Sequence, residues 1–322
     1  MSVAPFTWRD GERVVRFGRG ALASAPDLIG GEPYVLLTTA RAAAAAPLIA
    51  TGAAAVHEVP PGRVDEVSAG LRGAVRGPLL VALGGGRVID VAKALAAADP
   101  PRRVAAVPTT LSAAEMTATH RLPIGAEGAA RVRPAVVVND PALSASQPGP
   151  SLAASAANAL GHAAEAPLTP RANPVATLAA GRAAELLMGG FEGAEPDRDA
   201  LALGALLAGY AMDSTGYGLH HVLSQTLARH AGVGHGPANA AMLPHAARAL
   251  AQRFPGAAGL EAIGAGAARL AQRAGAARLR DLGLSREDLP ALAAAAAERP
   301  ELANTPPAAS AEELRRLYEA AW

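Results

Sequence analysis

Over roughly the first 145 positions, short, mostly apolar β-rich runs alternate with Ala-rich stretches of helical period. The runs are Tyr34–Thr38, Ala54–Val59, Leu79–Leu83, Val104–Val107 and Ala135–Val138. Most are short and apolar on both faces, the pattern of strands buried within a parallel sheet. Helical patterns lie between them, near residues 40–52, 63–75 and 87–98. Strand–helix alternation of this kind predicts βαβ units and a doubly wound sheet. Past Pro150 the strand signals end. Ala/Leu-rich helical segments then run to the C-terminus, broken at Thr169–Pro174, Gly189–Pro196, Gly232–Pro237 and Pro300–Pro307. The expected architecture is an α/β, Rossmann-like, dinucleotide-binding domain over 1–148 and an all-α domain over 149–322, the boundary falling near Gln147–Ser151. No internal repeat is evident, and the poly-Ala stretches suit helices, since Ala is the best helix former.

Composition narrows the chemistry. With 51% hydrophobic and 18% charged residues in 322, the chain is a packed globular protein rather than a disordered one. Aromatics are only 3%, so the core must be built from Ala, Leu and Val. A net charge of +1, with bases spread along the chain, leaves no electrostatic footprint for nucleic acid or an anionic membrane. Neither an apolar leader core nor a spanning segment is visible, which sets the expectation of a soluble, cytoplasmic protein. Cysteine is absent, which excludes disulfides, thiolate metal sites and cysteine nucleophiles. Lysine occurs once, at Lys93, amid many arginines, as expected where a compact ammonium is wanted rather than a planar guanidinium.

That lysine follows a glycine run. In LLVALGGGRVIDVAKALA, Gly84, Gly85 and Gly86 close a strand and open a helix. Glycines let the backbone approach a phosphate, and a helix N-terminus supplies free N–H groups, so the arrangement suits a pyrophosphate. It is not a G-x-G-x-x-G fingerprint, and a plain strand–helix turn would carry glycines too. Asp90 and Lys93, on the first turns of the helix, are expected to face whatever the loop holds. A second loop, Pro108–Thr117, sets Thr109 and Thr110 at the carboxyl edge of the sheet, where ligands of open α/β sheets sit. Its Ser112 and Glu115 would alternatively form a capping box.

Eight histidines are present, and five of them (His162, His220, His221, His235 and His245) fall at suggestive positions in the helical half. Asn158 and His162 lie four apart in NALGHAAEA and so share a helix face. His220 and His221 sit mid-helix, with Gln225 one turn after His221. His235 lies in GVGHGPANAAMLPH, ahead of His245. Three segments can thus bring imidazoles to one pocket, the convergence needed by a divalent metal or an anionic substrate. Taken singly, His245 reads as a capping or packing residue, and His57, His120 and His230 as surface residues.

The ordered series RVVRFGRGAL, GGGRVIDVAKALA, PTTLSAAEMT, RPAVVVNDPAL, NALGHAAEA, ANPVATLAA and GHGPANAAMLPH resembles the iron-containing alcohol dehydrogenase superfamily over nearly the full chain. The resemblance implies an N-terminal dinucleotide domain, a helical domain and an active site in the cleft between them. In metal-dependent members an Asp and three His hold one divalent metal, and those positions correspond to Asn158, His162, His221 and His235. An amide oxygen is neutral and a poorer ligand for a hard ion than a carboxylate, so no catalytic metal is expected. A further histidine common in the superfamily is Gln225 here.

Within the superfamily, Asn158, the His220–His221 pair, the opening RVVRFGRGAL and the ending ELANTPPAASAEELRRLYEAAW resemble the maleylacetate reductases. That resemblance implies NADH- or NADPH-dependent reduction of the C=C bond of maleylacetate to 3-oxoadipate, in aromatic catabolism. His162, His221, His235 and Asn158 would orient a small anionic substrate, stabilise its enolate and supply a proton. A homodimer is the expected assembly. At the end of YVLLTTAR, Thr38 and Thr39 stand where an acidic residue would hold a ribose hydroxyl, and Arg41 would accept a 2′-phosphate, so both NADH and NADPH remain candidates. Two alternatives stay open: a metal-dependent alcohol or polyol dehydrogenase, and a nucleotide-binding protein that has lost catalysis.

Overall fold

The apolar runs pair side by side in the computed structural model, which describes residues 3–322. Met1 and Ser2, the start of the stretch read for a leader, lie outside the described residues. Five strands follow the expected order: β3 (Val35–Thr38), β4 (Ala55–Glu58), β5 (Leu79–Gly84), β6 (Arg103–Pro108) and β7 (Val136–Asn139). Two more precede them, β1 (Phe6–Asp10) and β2 (Arg13–Phe17). The sheet runs β1-β2-β7-β6-β5-β3-β4, all parallel except the β1–β2 hairpin. Pattern reading missed the hairpin because charges interrupt it. In β2, buried and partly buried residues alternate, as they do in a strand with one face covered.

Strand order explains which runs are fully enclosed. All residues of β3 and β5 are buried. β4, whose run carries His57 and Glu58, forms the edge, and Val56 on it is 53% exposed. Alternate residues of the central strands feed opposite cores. Leu36, Val81, Leu83 and Val107 pack with Ile29 and Ile49 on one face, while Leu37, Leu80, Ala82 and Ala106 pack with Ile89, Val91 and Leu95 on the other. The covering helices are α1 (Ala25–Ile29), α2 (Ala40–Ala45), α3 (Pro47–Thr51), α4 (Val64–Leu71) and α5 (Gly86–Ala98). The single helix expected over 40–52 is two, broken at Ala46 because Pro47 restricts the residue before it and starts a new helix.

The second unit is helical throughout: α6 (Gly149–Glu165), α7 (Pro174–Gly189), the end of α8 (Arg198–Thr215), α9 (Leu219–His230), α10 (His235–Arg253), α11 (Leu260–Arg273), α12 (Leu289–Ala297) and α13 (Ala311–Ala321). The chain divides at Gln147/Pro148, but Asp197–Gly209 returns to the first unit, a departure from a single cut at 148. Gly209 shows why that return is local packing. A Cβ there would lie 2.7 Å from the Cβ of Ala113, whose φ of 62° is left-handed. The break expected at Gly232–Pro237 is shorter than the pattern implied. α10 begins at His235, and Pro237 sits in its first turn, where its missing N–H costs nothing.

α6 is buried almost all round from Leu152 to Glu165, the signature of a central helix. Its many alanines let α7, α9, α10 and α11 approach closely. Among the described residues no helix is long and apolar enough to cross a membrane.

Candidate active site

At the carboxyl end of β5, the glycine run does what its composition requires. Gly85 is the N-cap of α5, and no side chain caps the helix, so its first amides have no intrahelical partner. A Cβ on Gly85 would lie 3.2 Å from Thr110, and one on Gly86 would lie 2.8 Å from Ser112. Glycine therefore allows this loop and the loop after β6 to close on each other. Thr109 ties the two, its N–H donating to the Gly84 carbonyl at 2.9 Å. Its own hydroxyl is buried with no protein partner. Free helix amides, a glycine cradle and an orphaned hydroxyl at one sheet edge fit the pyrophosphate of a dinucleotide.

Other residues expected at the cofactor are engaged elsewhere. Lys93 is fully buried. Its ammonium donates to the carbonyls of Ala114, Thr117 and Thr119 at 2.9, 3.0 and 3.0 Å and lies 2.8 Å from Asp90. A compact ammonium is indeed what the site demands, but for clamping the loop after β6 rather than for a ligand. Asp90 is its counter-ion, with burial pushing the carboxyl up. Thr38 donates to the Leu83 carbonyl at 2.9 Å and so bridges β3 to β5, while Thr39 caps α2. Arg41 is exposed and donates to the Ser146 hydroxyl at 2.7 Å. Ser112 and Glu115 form no capping box. Glu115 points inward beside Asn139, 3.5 Å away, and burial pushes its carboxyl up to about 7.

In the helical unit, α6 supplies Asn158, His162 and Glu165 from one face, and α9 brings His220 and His221 against it. The approach is close because residue 161 is glycine; a Cβ there would sit 2.4 Å from the His220 ring and 3.2 Å from His221. The His162 and His221 rings stack with centroids 4.0 Å apart and planes 2° from parallel. His220 meets His221 edge-on at 4.6 Å, and Tyr217 tilts over it at 5.6 Å. The Asn158 amide Nδ2 lies 3.3 Å from His162 Nε2, and His221 Nδ1 lies 2.6 Å from Glu165 Oε2. The other carboxylate oxygen, Oε1, accepts the His220 backbone N–H at 2.6 Å. His162 Nδ1, His221 Nε2 and both His220 ring nitrogens are buried and have no hydrogen-bond partner.

Burial holds His162, His220 and His221 well below the usual histidine range, the last two at about 3, and pushes the Glu165 carboxyl up. The pocket therefore presents neutral imidazoles. With its Nδ2 facing His162 Nε2, the Asn158 amide favours the tautomer that carries the His162 proton on Nδ1.

His235 is only partly gathered in. It opens α10 with its side chain exposed, close enough that charge on it disfavours charge on His162 and His221. Its carbonyl accepts from Asn239, which also accepts from Ser224 of α9 at 2.9 Å. Gln225 accepts from Arg299 at 3.1 Å, within a cluster where Tyr217 donates to Glu301 at 3.0 Å. His120 is not a surface residue. It is buried, its Nδ1 3.0 Å from the Arg121 carbonyl, and burial lowers it to about 4.

The residues do not fit a shared metal ion. An imidazole binds a metal along the lone pair in its own ring plane, at about 2.0–2.1 Å. One ion cannot lie in both planes of a parallel stack with centroids 4.0 Å apart. Among the described residues, no group of three or more His, Cys, Asp or Glu is arranged to hold a metal.

A family model for the Fe-containing alcohol dehydrogenase family, C-terminal, matches residues 152–322. The chain belongs to the Fe-containing alcohol dehydrogenase family. Its relatives include maleylacetate reductases and, over a shorter stretch, 1,3-propanediol dehydrogenases of Citrobacter freundii and Klebsiella pneumoniae. Maleylacetate reductase 1 of Rhodococcus opacus is 34% identical over 261 residues, covering 76% of this chain and 72% of that protein. The maleylacetate reductase of Sphingobium indicum is 34% identical over 255 residues, covering 72% and 71%. The crystal structure of maleylacetate reductase from Agrobacterium tumefaciens superposes with a TM-score of 0.84 at 26% identity, covering 99% of each chain. This Fe-containing alcohol dehydrogenase family member is an NAD(P)-dependent oxidoreductase.

Glu165 went unread in the sequence. It stands three residues after His162 and seven after Asn158, and that spacing on one helix face was the available signal. His220 and Gly161 gain their importance only from the approach of α9.

Proposed function

We propose that the protein reduces a short dianionic oxo-enoate of the maleylacetate type to the saturated 3-oxo diacid, with NADH or NADPH as reductant and no resident metal. When bound, the reduced nicotinamide supplies a hydride to the alkene carbon β to the ketone. The loop Gly84–Gly86 and the segment at Thr109 and Thr110 would hold the dinucleotide phosphates on backbone amides. In the helical unit the open Nδ1–H of His162 would donate to the ketone oxygen as enolate charge grows, and His221 Nε2 would exchange the proton that completes the reduction. Asn158, donating from its amide, favours the His162 tautomer with the proton on Nδ1, where a carboxylate in its place would favour the proton on Nε2. His235, exposed at the N-terminus of α10, has the placement for greeting an anionic carboxylate rather than for the proton step.

One observation carries this reading. His162 and His221 stack as neutral rings, each with an open nitrogen, in a geometry suited to two hydrogen bonds and unsuited to one metal. The test mixes purified protein with maleylacetate and NADH or NADPH, with and without chelator. Rapid oxidation of the nicotinamide that survives the chelator is expected. Turnover only of an alcohol, and only with added metal, overturns the proposal.

A further inference from the structure

We infer that Glu165 is a positioning residue for the proton step: it holds the Nδ1 proton of His221, so that Nε2 can gain and lose a proton toward the substrate. This rests on the reading above and assigns the proton step to His221 rather than His162. Three observations carry it. Glu165 is buried, and both carboxylate oxygens are committed, Oε2 to His221 Nδ1 and Oε1 to the His220 N–H, each at 2.6 Å. The carboxylate thus fixes the ring and the start of α9 with one group. The opposite nitrogen of the same ring, Nε2, is buried and has no protein partner. Finally, His162 is wired the other way, its Nε2 facing an amide that can only donate from Nδ2.

The wiring makes the two rings unequal. A neutral imidazole whose Nε2 only accepts, as in His162, cannot release its Nδ1 proton without becoming an imidazolate. A ring whose Nδ1 proton is shared with a carboxylate can release one from Nε2, because a neutral imidazole remains. The balance is as follows. Hydride forms the C–H bond β to the ketone, and the alkene π pair becomes the enolate. His221, neutral with its proton on Nδ1, first takes a solvent proton at Nε2, and that Nε2–H bond breaks as the proton passes to the enolate carbon. The Nδ1 proton stays between the ring and Glu165. The dyad goes from neutral to singly anionic and is reprotonated from solvent.

The decisive variant is Glu165→Gln. Its amide oxygen must still accept from the His220 N–H, so its NH2 faces Nδ1 and forces the His221 proton onto Nε2. In 15N-histidine-labelled protein, the His221 resonances, assigned by their loss in His221→Asn, should exchange protonated and unprotonated character between Nδ1 and Nε2. With maleylacetate, kcat should fall about 10- to 100-fold, the usual cost of losing a histidine's supporting carboxylate, with KM little changed. Glu165→Asp, which restores a carboxylate one methylene short, should recover the wild-type tautomer and part of kcat. Wild-type kcat in Glu165→Gln, an unmoved tautomer, or equal losses in the Gln and Asp variants would overturn the inference. A wild type that gives the tautomer signal yet turns over no oxo-enoate would sink the substrate reading alone.

Discussion

Replacing Gly161 with alanine tests whether the approach of α9 to α6 sets the geometry of the histidine pair. The added Cβ would fall 2.4 Å from His220 Cδ2, 2.5 Å from Nε2 and 3.2 Å from His221 Cε1. Carbon atoms in contact rest at about 3.5–4.0 Å, so the His220 ring must retreat by roughly 1 Å or more. It has little room, being fully buried and set edge-on against His221. Overpacking of this kind costs about 1–3 kcal/mol. Helix propensity acts in the opposite direction, since alanine inside a helix is favoured over glycine by about 1 kcal/mol. The net expectation is a loss of up to about 2 kcal/mol on unfolding. Activity should suffer more than stability, because a 1 Å displacement of a reacting group can cost about 100-fold. Urea unfolding gives the first quantity and steady-state reduction of maleylacetate the second. An alanine variant that is about 1 kcal/mol more stable with unchanged kcat/KM would show that propensity alone decides, and that Gly161 does not position the pair.

Three further outcomes follow from buried groups and the glycine loop. Lys93→Met should destabilise by about 3–5 kcal/mol, because it strands Asp90 and three carbonyls in the core, and Lys93→Arg should not rescue it, since a guanidinium overfills the cage; thermal unfolding checks both. Glu115 keeps its proton in the fold to about pH 7, whereas the unfolded chain loses it near 4.3. The fold therefore binds more protons between those values and loses stability as pH rises through them, so Glu115→Gln should gain on the wild type by up to about 3 kcal/mol at pH 8 and little at pH 4 in paired urea titrations. Gly86→Ala would set a Cβ 2.8 Å from Ser112 and push the two loops apart; NADH binding followed by fluorescence should weaken at least tenfold while the thermal midpoint moves little.

The sequence by itself determined the two kinds of structure and the point where one gives way to the other. Apolar runs such as Leu79–Leu83 can only be buried strands, and the Ala-rich second half can only be helical, because periodicity and propensity are local properties. Local chemistry also marked the glycine loop and the His162, His221 and Asn158 set, since four-residue spacing puts groups on one helix face whatever lies opposite. The N-terminal hairpin was hidden because a strand with one covered face carries charges that resemble a loop. Tertiary structure decided every partnership. Lys93 became a clamp because the chain after β6 folds back over α5, which no spacing rule foresees. Thr38 spends its hydroxyl on a neighbouring strand. His162 and His221 lie 59 positions apart, and whether their rings converge on an ion or stack face to face depends on how closely two helices pack. That distance is set by Gly161, and the orientation by Glu165. Hydrogen bonds and ring planes act through space between distant segments, so they existed only once the helices had met.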